Sequence, residues 1–221
     1  MTIQVSAYRW VPPIAQGYVK DLRVRWALEE AGFPYQEVLI GLEDRTSEHY
    51  RQWQPFGQVP AYADDTVELF ESGAIVLHIA SKSEALAPND EAGRARATSW
   101  VIAALNSIEP HAQYLLQLED SDAPAANDRR VQVGAILAAR LEALAVWLGE
   151  KEYLEGRFTA GDLIMTTVLR ELVDCGVLAR YPTLNAHRRR CEARPAFRRA
   201  LEAQMRPFRK NAPAGVVAAS H

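Results

Sequence analysis

The spacing of apolar residues changes character about ninety residues into the chain. Before that point, short β-type runs alternate with helical ones; beyond it, only the helical period persists. Ile3 to Tyr8 reads as a strand, with Ile3 and Val5 β-branched. A loop with Pro12, Pro13 and Gly17 follows. From about Val19 the pattern turns helical: Val24, Ala27, Leu28 and Ala31 share one face, with Arg23, Glu29 and Glu30 off it. Gly32 followed by Pro34 is a stop signal, because Gly accepts the left-handed cap and Pro cannot continue a helix. Tyr35 to Ile40 reads as a second strand, and Glu43 to Gln52 as a polar stretch of weak helical character. Ala61 to Ala63 and Val67 to Phe70 are two short strands joined by Asp64-Asp65, a turn-forming pair. Glu71-Ser72-Gly73 opens a helix to about Ala80. This order predicts a mixed four-stranded sheet covered by helices.

Past a linker with Pro88, Val101, Leu105, Ile108, Ala112 and Leu115 mark one long helix, and Leu137, Leu141, Leu144 and Leu148 a second. Glu119 to Asp128 is polar and reads as a loop. The helix begun by Thr159-Ala160-Gly161-Asp162 is apolar on most sides and belongs in the middle of a bundle. Pro182 and Pro195 precede two further helices, and the segment after Asn211 reads as a fraying tail. The predicted organisation is an α/β domain over 1–81, a linker over 82–90, an all-helical domain over 91–211 and a tail over 212–221.

Composition narrows the function. The 221 residues are 48% hydrophobic, ordinary for a folded chain, and the formal net charge of -3 gives no general reason to bind nucleic acid. No uninterrupted apolar run approaches the roughly 20 residues of a membrane span, and the N-terminus lacks the features of a secretory signal. The two cysteines, Cys175 and Cys191, form no CxxC and have no companion ligands, which argues against a metal site or a dithiol centre. These features predict a soluble, cytoplasmic protein without a metal.

The chemistry is concentrated in Gln58-Val59-Pro60 and Glu71-Ser72. A proline before a strand can take a cis peptide, leaving the preceding residue's N–H and C=O as an edge for an extended peptide. Ser72 is placed to cap the next helix, whose N-terminus favours an anionic group. Together they suit a small peptide held by main-chain groups, with its carboxylate at a helix start.

With these features in hand, the chain resembles the cytosolic glutathione transferases over nearly its whole length. The resemblance rests on Arg25 to Gly32, Gln54 to Pro60, Leu69 to Ile75, Phe158 to Asp162, Tyr181 to Leu184 and Ala193 to Phe197. It implies a thioredoxin-like N-terminal domain followed by a helical bundle domain. It also implies a cis Pro60, a Val59 main chain paired with the cysteinyl part of glutathione with Gln58 beside it, and Glu71 and Ser72 holding the γ-glutamyl end. Arg51 and Trp53 lie where family members reach the glycyl end. Thr159 and Asp162 match the family's structural capping box, with Phe158 as its staple.

Family members activate the thiol through Tyr, Ser or Cys near the first helix. Counting back from Arg25 to Gly32 puts that position at Tyr18, whereas tyrosine-type classes put it at the end of the first strand, here Tyr8. The Arg9 to Gly17 loop is longer than either pattern, so both stay open. No serine or cysteine lies between Ala7 and Leu22. Trp10, Pro12 and Tyr114 are candidates for an acceptor pocket. The implied activity is conjugation of glutathione, as co-substrate, to a hydrophobic electrophile by a homodimer. The alternatives are a non-catalytic binding or scaffold protein, or a glutathione-dependent isomerase or reductase.

Overall fold

The computed structural model describes residues 2–119 and 124–214. The chain forms two compact units: Met1–Leu86 with Arg194–His221, and Ala87–Ala193.

In the first unit, β1 (Ile3–Tyr8), β2 (Tyr35–Ile40), β3 (Ala61–Ala63) and β4 (Glu68–Phe70) form one sheet in the order β2-β1-β3-β4. β1 is parallel to β2, with Ile3 opposite Tyr35 and Tyr8 opposite Ile40, and antiparallel to β3. A parallel pair needs a crossover, and α1 (Asp21–Ala31) supplies it. β3 and β4 form an antiparallel hairpin that leads into α3 (Ser72–Ala80), while α2 (Glu48–Trp53) precedes β3. This is the mixed four-stranded sheet that the order of segments predicts, in the thioredoxin-like arrangement that the resemblance implies.

β1 is an interior strand covered on both faces, so Ile3, Val5, Ser6 and Ala7 are all buried. α1 is likewise buried from Asp21 to Leu28, which corrects the expectation that Arg23 lies off the packed face. Its charged groups are buried because they find partners. Arg25 Nε donates to Asp21 at 2.6 Å, Arg25 also pairs with Glu37, and Gln204 Nε2 donates to the second Asp21 oxygen at 2.6 Å. Gly32 closes α1 at φ +69°, its N–H donating to the Leu28 carbonyl.

Gln204 belongs to α9 (Pro195–Lys210), which packs on α1. Trp26 meets Phe197 edge-on at 4.8 Å, and Arg194 forks onto Glu30 at 2.6 and 2.7 Å.

The second unit is helical. α4 (Glu91–Ile102) passes through a π-helical stretch, Ala103–Ile108, into α5 (Glu109–Glu119), so the predicted long helix exists with a π segment inside it. α6 (Pro124–Leu148) starts earlier than expected: residues 124–128, read as loop, are helical, with Pro124 in the first turn where its missing N–H costs nothing. Residues 120–123 of that stretch, like 215–221 of the expected tail, lie outside the described residues.

A second correction concerns hydrophobic length. Residues Ala126–Leu148 reach a mean hydropathy of 1.6 and are, by length and composition, apolar enough for a span, with 28% of the window buried. α7 (Ala160–Arg170) is buried at all of its positions, as its apolar pattern predicts. The capping box is formed: Thr159 N–H donates to Asp162 at 2.9 Å and Thr159 Oγ1 accepts from Gly161 N–H at 3.2 Å. α8 (Pro182–Glu192) and α9 carry their prolines as first residues rather than before the helix. Cys175 and Cys191 are not joined in a disulfide.

Candidate functional site

β1 delivers Tyr8 to the carboxyl edge of the sheet, and the loop from Arg9 to Lys20 returns the chain to α1. This loop is tied down at both ends. Pro13–Ala15 makes a tight 3-10 turn, Gln16 Nε2 donates to the Val11 carbonyl at 3.0 Å, and Gln204 Nε2 of α9 donates to the Val19 carbonyl at 2.9 Å. Val11 forms a buried cluster with Met205 and Phe208, and Tyr8, Trp10 and Val19 pack against it.

Tyr8 also packs against a second cluster made of Ile40, Tyr50 and Val59. It therefore stands at the join between the loop's core and the Val59 segment. Among the described residues no hydrogen bond is made to its hydroxyl. Tyr18 is half-buried at the far end of the loop, its N–H donating to the Ala15 carbonyl at 3.1 Å, and it belongs to neither cluster.

The Val59–Pro60 peptide is cis, as the resemblance implies. The flanking main-chain groups are both occupied: the Gln58 carbonyl accepts from the Tyr50 hydroxyl at 2.6 Å and Ala61 N–H donates to Ser6 Oγ at 2.7 Å. Val59 between them makes no main-chain hydrogen bond among the described residues, although the residue is only 8% exposed. Buried main-chain groups are almost always paired, so this pair is poised for a ligand.

Glu71 lies at φ +67°, ψ 113°, a rare conformation for a residue with a Cβ, and such positions cluster at ligand sites. It is the N-cap of α3, without a side-chain capping bond, and the Ile75 N–H donates to its carbonyl at 3.0 Å. Ser72 is accordingly the first helical residue and not the cap, which corrects the sequence expectation. Its hydroxyl accepts from Nη1 of the buried Arg23 at 3.3 Å. An exposed acid, a serine hydroxyl and free helix N–H groups thus sit together at the start of α3, suited to an ammonium and a carboxylate on one ligand.

The remaining candidates are scattered. Trp10 is half-buried with its indole N–H covered and unbonded among the described residues, while Pro12 is exposed. Tyr114, in the other unit, is 40% exposed on α5. Trp53 spends its indole N–H on the Tyr62 carbonyl at 3.0 Å, and Arg51 is exposed. Three residues around the site were not singled out by the sequence: Ser6, Arg23 and Tyr50. A serine between Val5 and Ala7 in a strand was the available signal for Ser6.

A thioredoxin-like unit with an open main-chain edge beside a cis proline, and Glu71 and Ser72 at a helix start, has the features that suit a small peptide. Comparison with known proteins makes this particular. Residues 16–81 match the family of glutathione S-transferase N-terminal domains. A glutathione S-transferase of Hyoscyamus muticus is 28% identical over 82% of this chain and 92% of its own length. Glutathione S-transferase 1 of Zea mays is 45% identical over 28% of this chain and 30% of its own length. Among solved structures, a glutathione transferase of Burkholderia graminis, with two glutathione molecules bound per subunit, has a TM-score of 0.78 at 25% identity. That match covers 91% of this chain and 88% of the other. Residues 16–81 therefore form a glutathione S-transferase N-terminal domain, and the chain as a whole is similar to glutathione transferases.

Proposed function

We propose that the protein is a cytoplasmic enzyme that binds glutathione in its N-terminal unit and adds the thiolate to a hydrophobic electrophilic small molecule. The observation that carries this reading is the unpaired Val59 main chain, set between two paired neighbours and sharing an apolar cluster with Tyr8. Val59 pairs with the cysteinyl N–H and C=O. Glu71 takes the γ-glutamyl ammonium, and Ser72 with the start of α3 takes its carboxylate.

The chemistry follows from thiol acidity. A free thiol has a pKa of about 8.5 and is a poor nucleophile at neutral pH until its thiolate is stabilised. In this reading the Tyr8 hydroxyl donates to the sulfur. The thiolate then forms the new S–C bond while the leaving group departs, or while the adjoining atom of the acceptor takes up a proton. Tyr8 is preferred over Tyr18 because only Tyr8 adjoins Val59's cluster. A homodimer belongs to the reading: Phe56, 65% exposed, packs edge-on against Phe70 at 5.8 Å, and Val131 and Val146 are 73% and 77% exposed.

The test is glutathione titration by calorimetry, then conjugation to an activated aryl halide by wild type, Tyr8→Phe and Tyr18→Phe. Tyr8→Phe should lower kcat roughly 10- to 100-fold, the worth of a hydrogen bond to a charged group, and raise the apparent pKa of the bound thiol. Absence of binding at millimolar glutathione refutes the reading. Binding without turnover favours the non-catalytic alternative, and a large effect confined to Tyr18→Phe transfers the donor role.

A further inference from the structure

The segment that offers Val59 is held from beneath by two hydroxyls outside the ligand-contacting set. The Gln58 carbonyl can only accept, so the 2.6 Å contact uses the single proton of the Tyr50 hydroxyl. Ser6 Oγ lies 2.7 Å from the same Tyr50 oxygen, and with the phenolic proton committed, Ser6 must be the donor there. Ser6 Oγ in turn accepts Ala61 N–H at 2.7 Å. The chain of bonds therefore has one direction: Ala61 N–H to Ser6, Ser6 O–H to Tyr50, Tyr50 O–H to the Gln58 carbonyl.

The relay begins and ends on the residues that bracket Val59-Pro60. It joins β1, α2 and the β3 approach, and both side chains are buried, Ser6 fully and Tyr50 at 5% exposure. Burial pushes the Tyr50 phenol up to about 12, so it keeps its proton at working pH. Such a satisfied buried network admits one geometry, since losing any member orphans a neighbour. The Tyr50 ring adds rigidity by packing with Ile40 and Val59 and meeting Trp53 edge-on at 6.2 Å.

We infer that Ser6 and Tyr50 are positioning residues that hold the Gln58–Ala61 segment so that the Val59 N–H and C=O stay directed at the cysteinyl backbone of the bound peptide. The inference rests on the glutathione reading above. It requires that affinity lost on removing either hydroxyl be lost through Val59's main chain and not through general loosening of the fold.

The experiment compares wild type, Tyr50→Phe and Ser6→Ala, each the full chain, in calorimetric titrations with glutathione. Each titration is repeated with an analogue N-methylated at the cysteinyl amide, which cannot donate to Val59. Each variant should bind glutathione about tenfold more weakly, with KM for glutathione moving more than kcat. Against the analogue, which has already lost that bond, the variants should differ from wild type by no more than about threefold. Amide hydrogen exchange at Ala61 should speed up in Ser6→Ala, reporting the broken relay independently of ligand. A wild type that binds no glutathione defeats the parent reading. A wild type that binds, with variants equal to it, defeats this inference alone, as do equal losses toward glutathione and the analogue. Because each variant removes one oxygen, thermal unfolding identifies any that misfolds, and the other then decides.

Discussion

Two covered aspartates, one in each unit, tie main chain together and have opposite acidities. Asp64, in the β3–β4 turn, accepts from the Thr66 and Val67 amides and the Thr66 hydroxyl on one oxygen. On the other it meets the Tyr62 hydroxyl, His78 at 2.8 Å and Lys82 at 2.7 Å. Asp162, at the start of α7, accepts from the Leu154 amide at 2.8 Å and from the Thr159 amide and hydroxyl at 2.9 and 3.1 Å. Burial pushes both carboxyls up. At Asp64 the bonds from Lys82, Thr66 and His78 overcome that push and hold the group well below the usual carboxylate range. At Asp162 the amides only partly offset it, and the carboxyl stands at about 6. His187, 3.7 Å away, does not rescue it, because burial, aided by the charge of Arg190, lowers the imidazole to about 4. Amide hydrogen bonds hold a buried carboxylate in place, but a nearby cation decides whether it stays charged.

The largest effect expected is Asp162→Ala, which strips partners from two amides and should cost roughly 3 kcal/mol in urea unfolding at neutral pH. A loss under about 1 kcal/mol would mean that water replaces the carboxylate and that the site is less closed than the comparison requires. Asp64→Ala should cost roughly 2 kcal/mol, because its exposed turn amides can turn to solvent. This cost carries a pH signature. A depressed folded pKa contributes stability above the unfolded value of about 3.9, lost as pH falls through and below it, so wild type and variant should converge in acid. A gap that stays constant with pH would remove the cation from the explanation.

The third test separates Asp162 from His187. A carboxyl raised to about 6 contributes stability at low pH that is lost as pH rises to that value. An imidazole lowered to about 4 contributes stability above its unfolded value that is lost as pH falls to 4. The two oppose each other between those values, leaving wild type nearly flat. His187→Gln should make stability fall as pH rises across that window, and Asp162→Asn should make it rise. Parallel curves for the two variants would break the assignment. The smallest effect belongs to the segment that follows the Asp64 hairpin. Glu71→Gly relieves the positive φ and should stabilise the fold by about 0.5–1 kcal/mol while weakening glutathione binding, read by unfolding and titration together.

Much of the first unit was legible because its signals are local. The limits of β1, β2 and β3 agree with the strands read from the sequence, and Gly32 ends α1 where its freedom at positive φ predicts. What was hidden depended on distant partners. Arg23 read as a charge off the packed face because its partner Ser72 comes from another element. Ser72 read as a cap because nothing local shows that Glu71 takes the strained cap position. Pro124 read as loop because a proline in a first helical turn and a proline in a loop look alike without the turn that follows. The Val59 edge was visible as a motif. The hydroxyl relay beneath it was not, since Ser6, Tyr50 and Gln58 converge only when β1 and α2 are folded together.

The return of α9 to α1 also sets the order of events during synthesis. Asp21 and Val19 await Gln204, Trp26 awaits Phe197, and Val11 awaits Phe208. At bacterial or eukaryotic elongation rates of roughly 5–20 residues per second, the stretch between Leu86 and Arg194 takes on the order of 10 s to make. For that interval the nascent first unit exposes the surface that α9 will cover, while all of Ala87–Ala193 can emerge and fold in sequence. The first unit is therefore completed after the second, and the loop between β1 and α1 reaches its final form only once α9 has emerged.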